Sequence, residues 1–267
     1  MSTENPNKGV FFLSGADIVD GVLLSSVVQT FVTGLYTLIF FQALVLLIKQ
    51  RKICIAGCLT ALYIAVIINL TMENLIIRTT FLGPLGSNLL LYGQIQNAVS
   101  ALAAIIADSL LSWRCYIILK RNKWILATGM LTISAEIILL PIWLANSLEL
   151  TAPHLSFVVF YWFFSLAITT VSTTLIVYRI ISMAQKTNRT TAYYRTVEIL
   201  VESGAMYTTV IIICCALWGQ SKPSWDGVIG GGVYITSDLF YSLLIPVTGI
   251  APTLITLRVA SGRARGS

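Results

Sequence analysis

The sequence predicts an all-α integral membrane bundle of seven transmembrane helices, with the N-terminus outside and the C-terminus in the cytoplasm. Three observations lead there. Of the 267 residues, 57% are hydrophobic and only 10% charged, whereas a soluble domain carries roughly 25% charged residues. The apolar residues fall in long runs, each sufficient for a span of about 20 residues. The basic residues collect on one side of those runs. At about 38 residues per span and loop, the length holds seven spans and leaves no room for a soluble catalytic domain.

The spans are placed at Val22–Ile48, Ile53–Ile77, Ser87–Leu119, Trp124–Asn146, Ser156–Met183, Thr196–Trp218 and Tyr234–Leu257. A short N-tail (1–21) precedes the transmembrane domain (22–258), and a basic tail (259–267) follows it. The N-tail has one Lys and no basic cluster before an apolar core. It does not read as a cleaved signal, so the first span is expected to direct insertion. Spans one and two are joined only by Lys49–Lys52, and spans three and four only by Lys120–Lys123, so both pairs are expected as tight helical hairpins. No strand-like alternation is present, which leaves helices as the spanning structure.

On one side of these spans lie Lys8, Arg78 and Lys222. On the other lie thirteen basic residues, in clusters at 49–52, 120–123, 179–195 and 258–265. Cytoplasmic loops carry the excess of Lys and Arg, which fixes the expected orientation. The net charge of +6 therefore reads as membrane topology, and nucleic acid is not an expected partner. The lipid bilayer is the expected surrounding. The basic inner face is suited to acidic lipid headgroups or to a cytoplasmic signalling protein. Either the plasma membrane or an endomembrane is compatible with this composition.

Cys54, Cys58, Cys115, Cys214 and Cys215 all fall within apolar runs, so no disulfide framework is expected; Cys54, beside Lys49–Lys52, is a palmitoylation candidate. The sequons at Asn69 and Asn188 lie inside span two and in a cytoplasmic loop, out of reach of glycosylation. Pro141, Pro246 and Pro252 are expected to kink spans four and seven, and the last two suggest a bend or hinge. His154 is the sole histidine. With no metal-ligand spacing, nucleophile elbow or phosphate loop, no enzyme activity, metal or cofactor is expected.

Ionisable residues inside a membrane are costly and are functional candidates by default. Arg114 and Glu202 lie at matched depth, roughly 9 Å inside the cytoplasmic edge, and form a candidate ion pair; Glu198 lies one turn from Glu202. Snorkelling to the interface is the plainer alternative. Asp108 and Glu136 lie roughly 18 Å deep in hairpin partners. If they meet, they form a proton or sodium site, because two close carboxylates do not both ionise cheaply. The plainer alternative is hydrogen bonding of each to Ser, Thr or backbone. In the outer half, Asn69, Glu73, Gln94, Gln96, Asn97, Tyr234, Ser237 and Asp238 come from three spans. They are candidates for a ligand cavity, against ordinary interfacial capping. The hydroxyl run Thr169–Thr174 in span five is expected to serve packing.

The rhodopsin-like receptor marks are missing: span three ends in Trp113-Arg114-Cys115-Tyr116, and span seven has Pro252-Thr253-Leu254-Ile255. The parallel repeats of sugar-transporter-like folds are also missing. Four stretches carry a different likeness: Asp108–Tyr116, Tyr178–Ile180, Val201–Tyr207 and Pro246–Val259. On these the chain resembles the seven-helix membrane proteins expanded in mushroom-forming basidiomycete fungi. The resemblance implies an integral membrane protein of a fungal cell and brings no established activity. It draws attention to Asp108, Arg114 and Glu202, which lie in the shared stretches.

Three functions are compatible with this sequence. One is a receptor-like protein with a small ligand in an outer-half cavity, reporting by movement of span six against span three. Another is a proton- or ion-coupled transporter or channel using Asp108 and Glu136. The third is a membrane scaffold without a ligand.

Overall fold

The computed structural model describes residues 15–82, 88–118, 123–146, 163, 165–167, 169–175, 177–178, 181–182, 201, 204–217 and 231–264. All secondary structure among them is α-helical. The helices are α1 (Gly15–Lys49), α2 (Ile53–Leu82), α3 (Asn88–Ile118), α4 (Lys123–Asn146), α5 (Ser165–Leu175), α6 (Gly204–Leu217) and α7 (Gly231–Ala264). Among the described residues, four segments are long and apolar enough to cross a membrane: Val19–Lys49, Ile53–Thr80, Leu91–Ile117 and Ile235–Leu257. The chain is thus an all-helical protein with the character of an integral membrane protein.

Its surface supports the same conclusion. Leu24, Val27, Phe31, Leu38, Phe41 and Val45 of α1 point outward, as do Met130, Leu131 and Ile138 of α4. In water so extensive an apolar surface would drive association; against lipid it is at no disadvantage. The inward face of α1 is Ser25, Gln29, Thr33, Tyr36, Phe40, Ala43 and Leu47, all buried. Steps of three and four residues keep these on one side of a helix. The end of this stripe nearest the α1–α2 turn is apolar, and its other end is polar. The polar half of the bundle, away from that turn, is called the distal half below.

α1 and α2 form a tight hairpin. Arg51 adopts a left-handed conformation (φ 55°). Its N–H reaches the Ile48 carbonyl at 3.0 Å, and the Lys52 N–H reaches the Leu47 carbonyl at 3.0 Å. These are the two bonds of a Schellman cap, which satisfies carbonyls the helix end leaves open. Across the hairpin Phe40 stacks on Tyr63 with centroids 4.2 Å apart, and Thr37 Oγ1 lies 3.3 Å from the Tyr63 hydroxyl.

α7 packs against α1, α2 and α3, and α3 also against α2 and α4. Leu244–Ile250 is buried at every residue, so α7 is enclosed by its neighbours. Close approach to α1 depends on two glycines. A Cβ on Gly249 would lie 2.7 Å from the Tyr36 ring, and one on Gly21 would lie 2.7 Å from Ile235. Small residues at such crossings bring backbones together where lipid offers no hydrophobic drive. The pairs Gly21–Ile235, Ser25–Asp238 and Tyr36–Gly249 advance together along both helices, so α1 and α7 run parallel. α4 and α7 continue as helices through Pro141, Pro246 and Pro252. Thr253 and Thr256 bond carbonyls one turn back, at Gly249 and Pro252.

Candidate functional site

Two clusters of polar side chains lie inside the bundle. The distal cluster joins α1, α2, α3 and α7. Ser100 Oγ donates to the Gln96 carbonyl at 2.7 Å. It therefore accepts from Asn69 Nδ2, also at 2.7 Å. This fixes the Asn69 amide, whose Oδ1 accepts from Gln29 Nε2 at 3.2 Å. The direction of each bond thus follows from the one before it, and Gln29 Oε1 is left as an acceptor.

Glu73 lies one turn beyond Asn69 on α2. Its Oε1 accepts from Ser242 of α7 at 2.9 Å. The Gln29 amide approaches the same carboxyl group. Glu73 Oε2 and Gln29 Oε1 are nonetheless both buried without a hydrogen bond among the described residues. Asp238 of α7 accepts from Ser25 of α1 at 2.7 Å and is close enough to Glu73 to act on it electrostatically. The Tyr241 hydroxyl donates to Asn97 Oδ1 at 3.1 Å. The cluster holds two carboxyl groups, and no basic side chain among the described residues reaches them.

Of the outer-half residues singled out from sequence, Asn69, Glu73, Asn97 and Asp238 come together here. Gln96 contributes its backbone carbonyl, and Ser237 is buried on the same helix as Asp238. Gln94 is half-buried on α3. The side chain of Tyr234 lies outside the described residues. Asn69 is buried in α2 and fully engaged, which agrees with its sequon being a chance match. Sequence analysis did not single out Ser25, Gln29, Ser100, Tyr241 or Ser242. A signal was present for the first two: Ser25, Gln29 and Thr33 recur every four residues on one face of a mostly apolar helix.

The second cluster lies at mid-depth between α3, α4, α5 and α6. Asp108 Oδ2 accepts from Ser165 at 3.0 Å and Oδ1 from Thr169 at 3.3 Å. Ser165 Oγ is 3.2 Å from the Tyr207 hydroxyl of α6. The carboxyl group of Glu136 meets that of Asp108. Glu136 is wholly buried, and no donor among the described residues reaches either of its oxygens. Asp108 thus combines both sequence expectations, since it faces Glu136 and also accepts from two hydroxyls. Thr169 departs from the packing role expected of its hydroxyl run, because its side chain turns to Asp108. Thr173 keeps that role: a Cβ on Gly204 of α6 would lie 3.1 Å from its methyl group. Tyr207 and Ser165 were not anticipated as members.

The ion-pair and switch candidates are not placed. Glu198 and Glu202 lie outside the described residues, as does the side chain of Arg114. No group of three or more His, Cys, Asp or Glu side chains is arranged to hold a metal among the described residues. No protein-family model matches the chain, and no curated protein matches it.

Proposed function

We propose that the chain is a receptor-like seven-helix integral membrane protein whose distal cluster binds a small ligand bearing a positive charge and hydrogen-bond donors. The observation that carries this reading is the pair of buried acceptors, Gln29 Oε1 and Glu73 Oε2, that have no donor among the described residues, beside a second carboxyl group on Asp238. Buried acceptors left without partners each cost about 1–3 kcal/mol. A ligand donor placed between them recovers that energy, and a ligand cation balances the two carboxylates. Four helices contribute, so a bound ligand would tie α7 to α1, α2 and α3. This is the kind of differential contact through which a ligand biases a bundle between states.

Seven spans with the N-terminus outside fit this function. Parallel α1 and α7 favour an odd number of crossings. The basic clusters at 49–52 and 120–123 favour a cytoplasmic location for the turns that hold them. Those turns are then available to acidic lipids or to a signalling protein. The resemblance to the basidiomycete seven-helix proteins is in keeping with this architecture.

The test is thermal melting of purified protein in nanodiscs with a panel of alkyl and aryl amines, each beside its uncharged alcohol counterpart. Amines should raise the melting temperature of wild type and not of Glu73→Gln. Equal effects of amines and alcohols, or no effect of either, would refute the reading.

A second reading, proton- or ion-coupled transport, is favoured by the buried Asp108–Glu136 pair. It requires flux that disappears in Asp108→Asn.

A further inference from the structure

The mid-depth cluster contains an unusual arrangement of acceptors. Glu136 is fully buried, and its two oxygens have no donor among the described residues. It faces Asp108, a second acceptor, which already receives bonds from Ser165 and Thr169. Two ionised carboxylates cannot bond one another, and in a low-dielectric interior they repel strongly. The described groups that face them are Ser165 and Thr169 of α5 and Tyr207 of α6, with Thr248 of α7 behind Tyr207. None is a cation. Among the described residues, the basic side chains Lys49, Arg51, Lys52 and Arg78 lie at helix ends, far from this depth.

We propose that Asp108 and Glu136 form a binding site for one small monovalent cation, either sodium or a proton, held between the carboxyl groups of α3 and α4. The donor set is all oxygen, the hard-ligand chemistry that suits alkali cations and protons and is poorly suited to soft transition metals. Sodium would take carboxylate oxygens of both residues, with the Ser165 and Thr169 hydroxyl oxygens alongside. A proton would convert one carboxylate into a donor to the other. In both cases the cation joins α3 to α4, and through Ser165 and Thr169 to α5. This inference does not depend on the distal site: loss of amine binding and loss of cation binding are separate results.

The experiment follows melting of the purified full chain in nanodiscs in sodium chloride and in choline chloride at equal ionic strength. Infrared spectra of the carboxyl C=O band are recorded on the same samples across mildly acidic to mildly basic pH. With sodium as occupant, melting rises by roughly 5–10 °C at about one hundred times the dissociation constant, and the rise vanishes in Glu136→Gln. With a proton as occupant, sodium has no effect. Wild type then shows a protonated-carboxyl band that Glu136→Gln lacks. The Gln amide can donate to Asp108, so this variant retains one inter-helix bond. Wild-type protein with neither a sodium effect nor a protonated-carboxyl band overturns the proposal. That result needs no variant, so a misfolded substitution does not weaken the test.

Discussion

Asn69 accepts from Gln29 and donates to Ser100, so replacing it with Leu removes one bond from each of two buried partners at once. Interhelical hydrogen bonds in membranes are worth about 0.6 to 1.7 kcal/mol each. Asn69→Leu should therefore lower stability by about 1–2 kcal/mol, read as a fall in melting temperature in nanodiscs. Leu91, exposed in the distal part of α3, offers no such loss when changed to Ile and serves as the control. At this scale the sequence was informative about residue type and weak about partners. Polar residues such as Asn69, Glu73 and Asp108 stand out against apolar runs, because burying them without a function is costly. Gln29 did not stand out, since a single amide among hydroxyl and apolar residues carries no charge to mark it. Its partner lies forty residues away on another helix, and no local pattern encodes that distance.

Helix packing gives two further predictions. Gly249 admits Tyr36, and a Cβ there would lie 2.7 Å from the ring. Gly249→Ala should destabilise by about 1–3 kcal/mol through overpacking. At Gly57 nothing lies within 4 Å of an added Cβ, so Gly57→Ala should be neutral or stabilise by up to about 1 kcal/mol through helix propensity. Opposite shifts in melting temperature would bear this out, and equal shifts would count against close packing of α7 on α1. The α1–α2 turn is the second case. Arg51 is left-handed without being glycine, a conformation that disfavours β-branched side chains most. Arg51→Val should lower the melting temperature, while Arg51→Gly should not. Helix positions were legible from apolar runs because each run must be long enough to cross lipid. The first four helices and α7 lie where those runs lie. The left-handed cap was not legible: Arg51 sits in a basic cluster, and nothing in its identity signals a positive φ.

At the scale of the whole molecule, the described surface is apolar, and polar side chains gather in clusters inside, beside an apolar core. Composition alone made that legible, because a chain with 10% charged residues cannot clothe a soluble surface. Which helices surround which polar group was not legible, since it depends on contacts such as Ser242 with Glu73 across 169 residues. Orientation yields a direct prediction. Cys54 is exposed beside the α1–α2 turn, whereas Cys115 and Cys214 are buried. A membrane-impermeant maleimide should label Cys54 only after cells are permeabilised. Labelling of intact cells at Cys54 would place that turn outside and reverse the topology. As a receptor, this protein is proposed to bind within its membrane interior without conducting through it. The most direct test is proton flux into sealed liposomes containing the purified chain, under an imposed pH gradient, with an internal pH dye and Asp108→Asn alongside. Flux no greater than in protein-free liposomes is expected. Flux through wild type that is lost in Asp108→Asn would contradict the receptor reading and make the chain a transporter or channel.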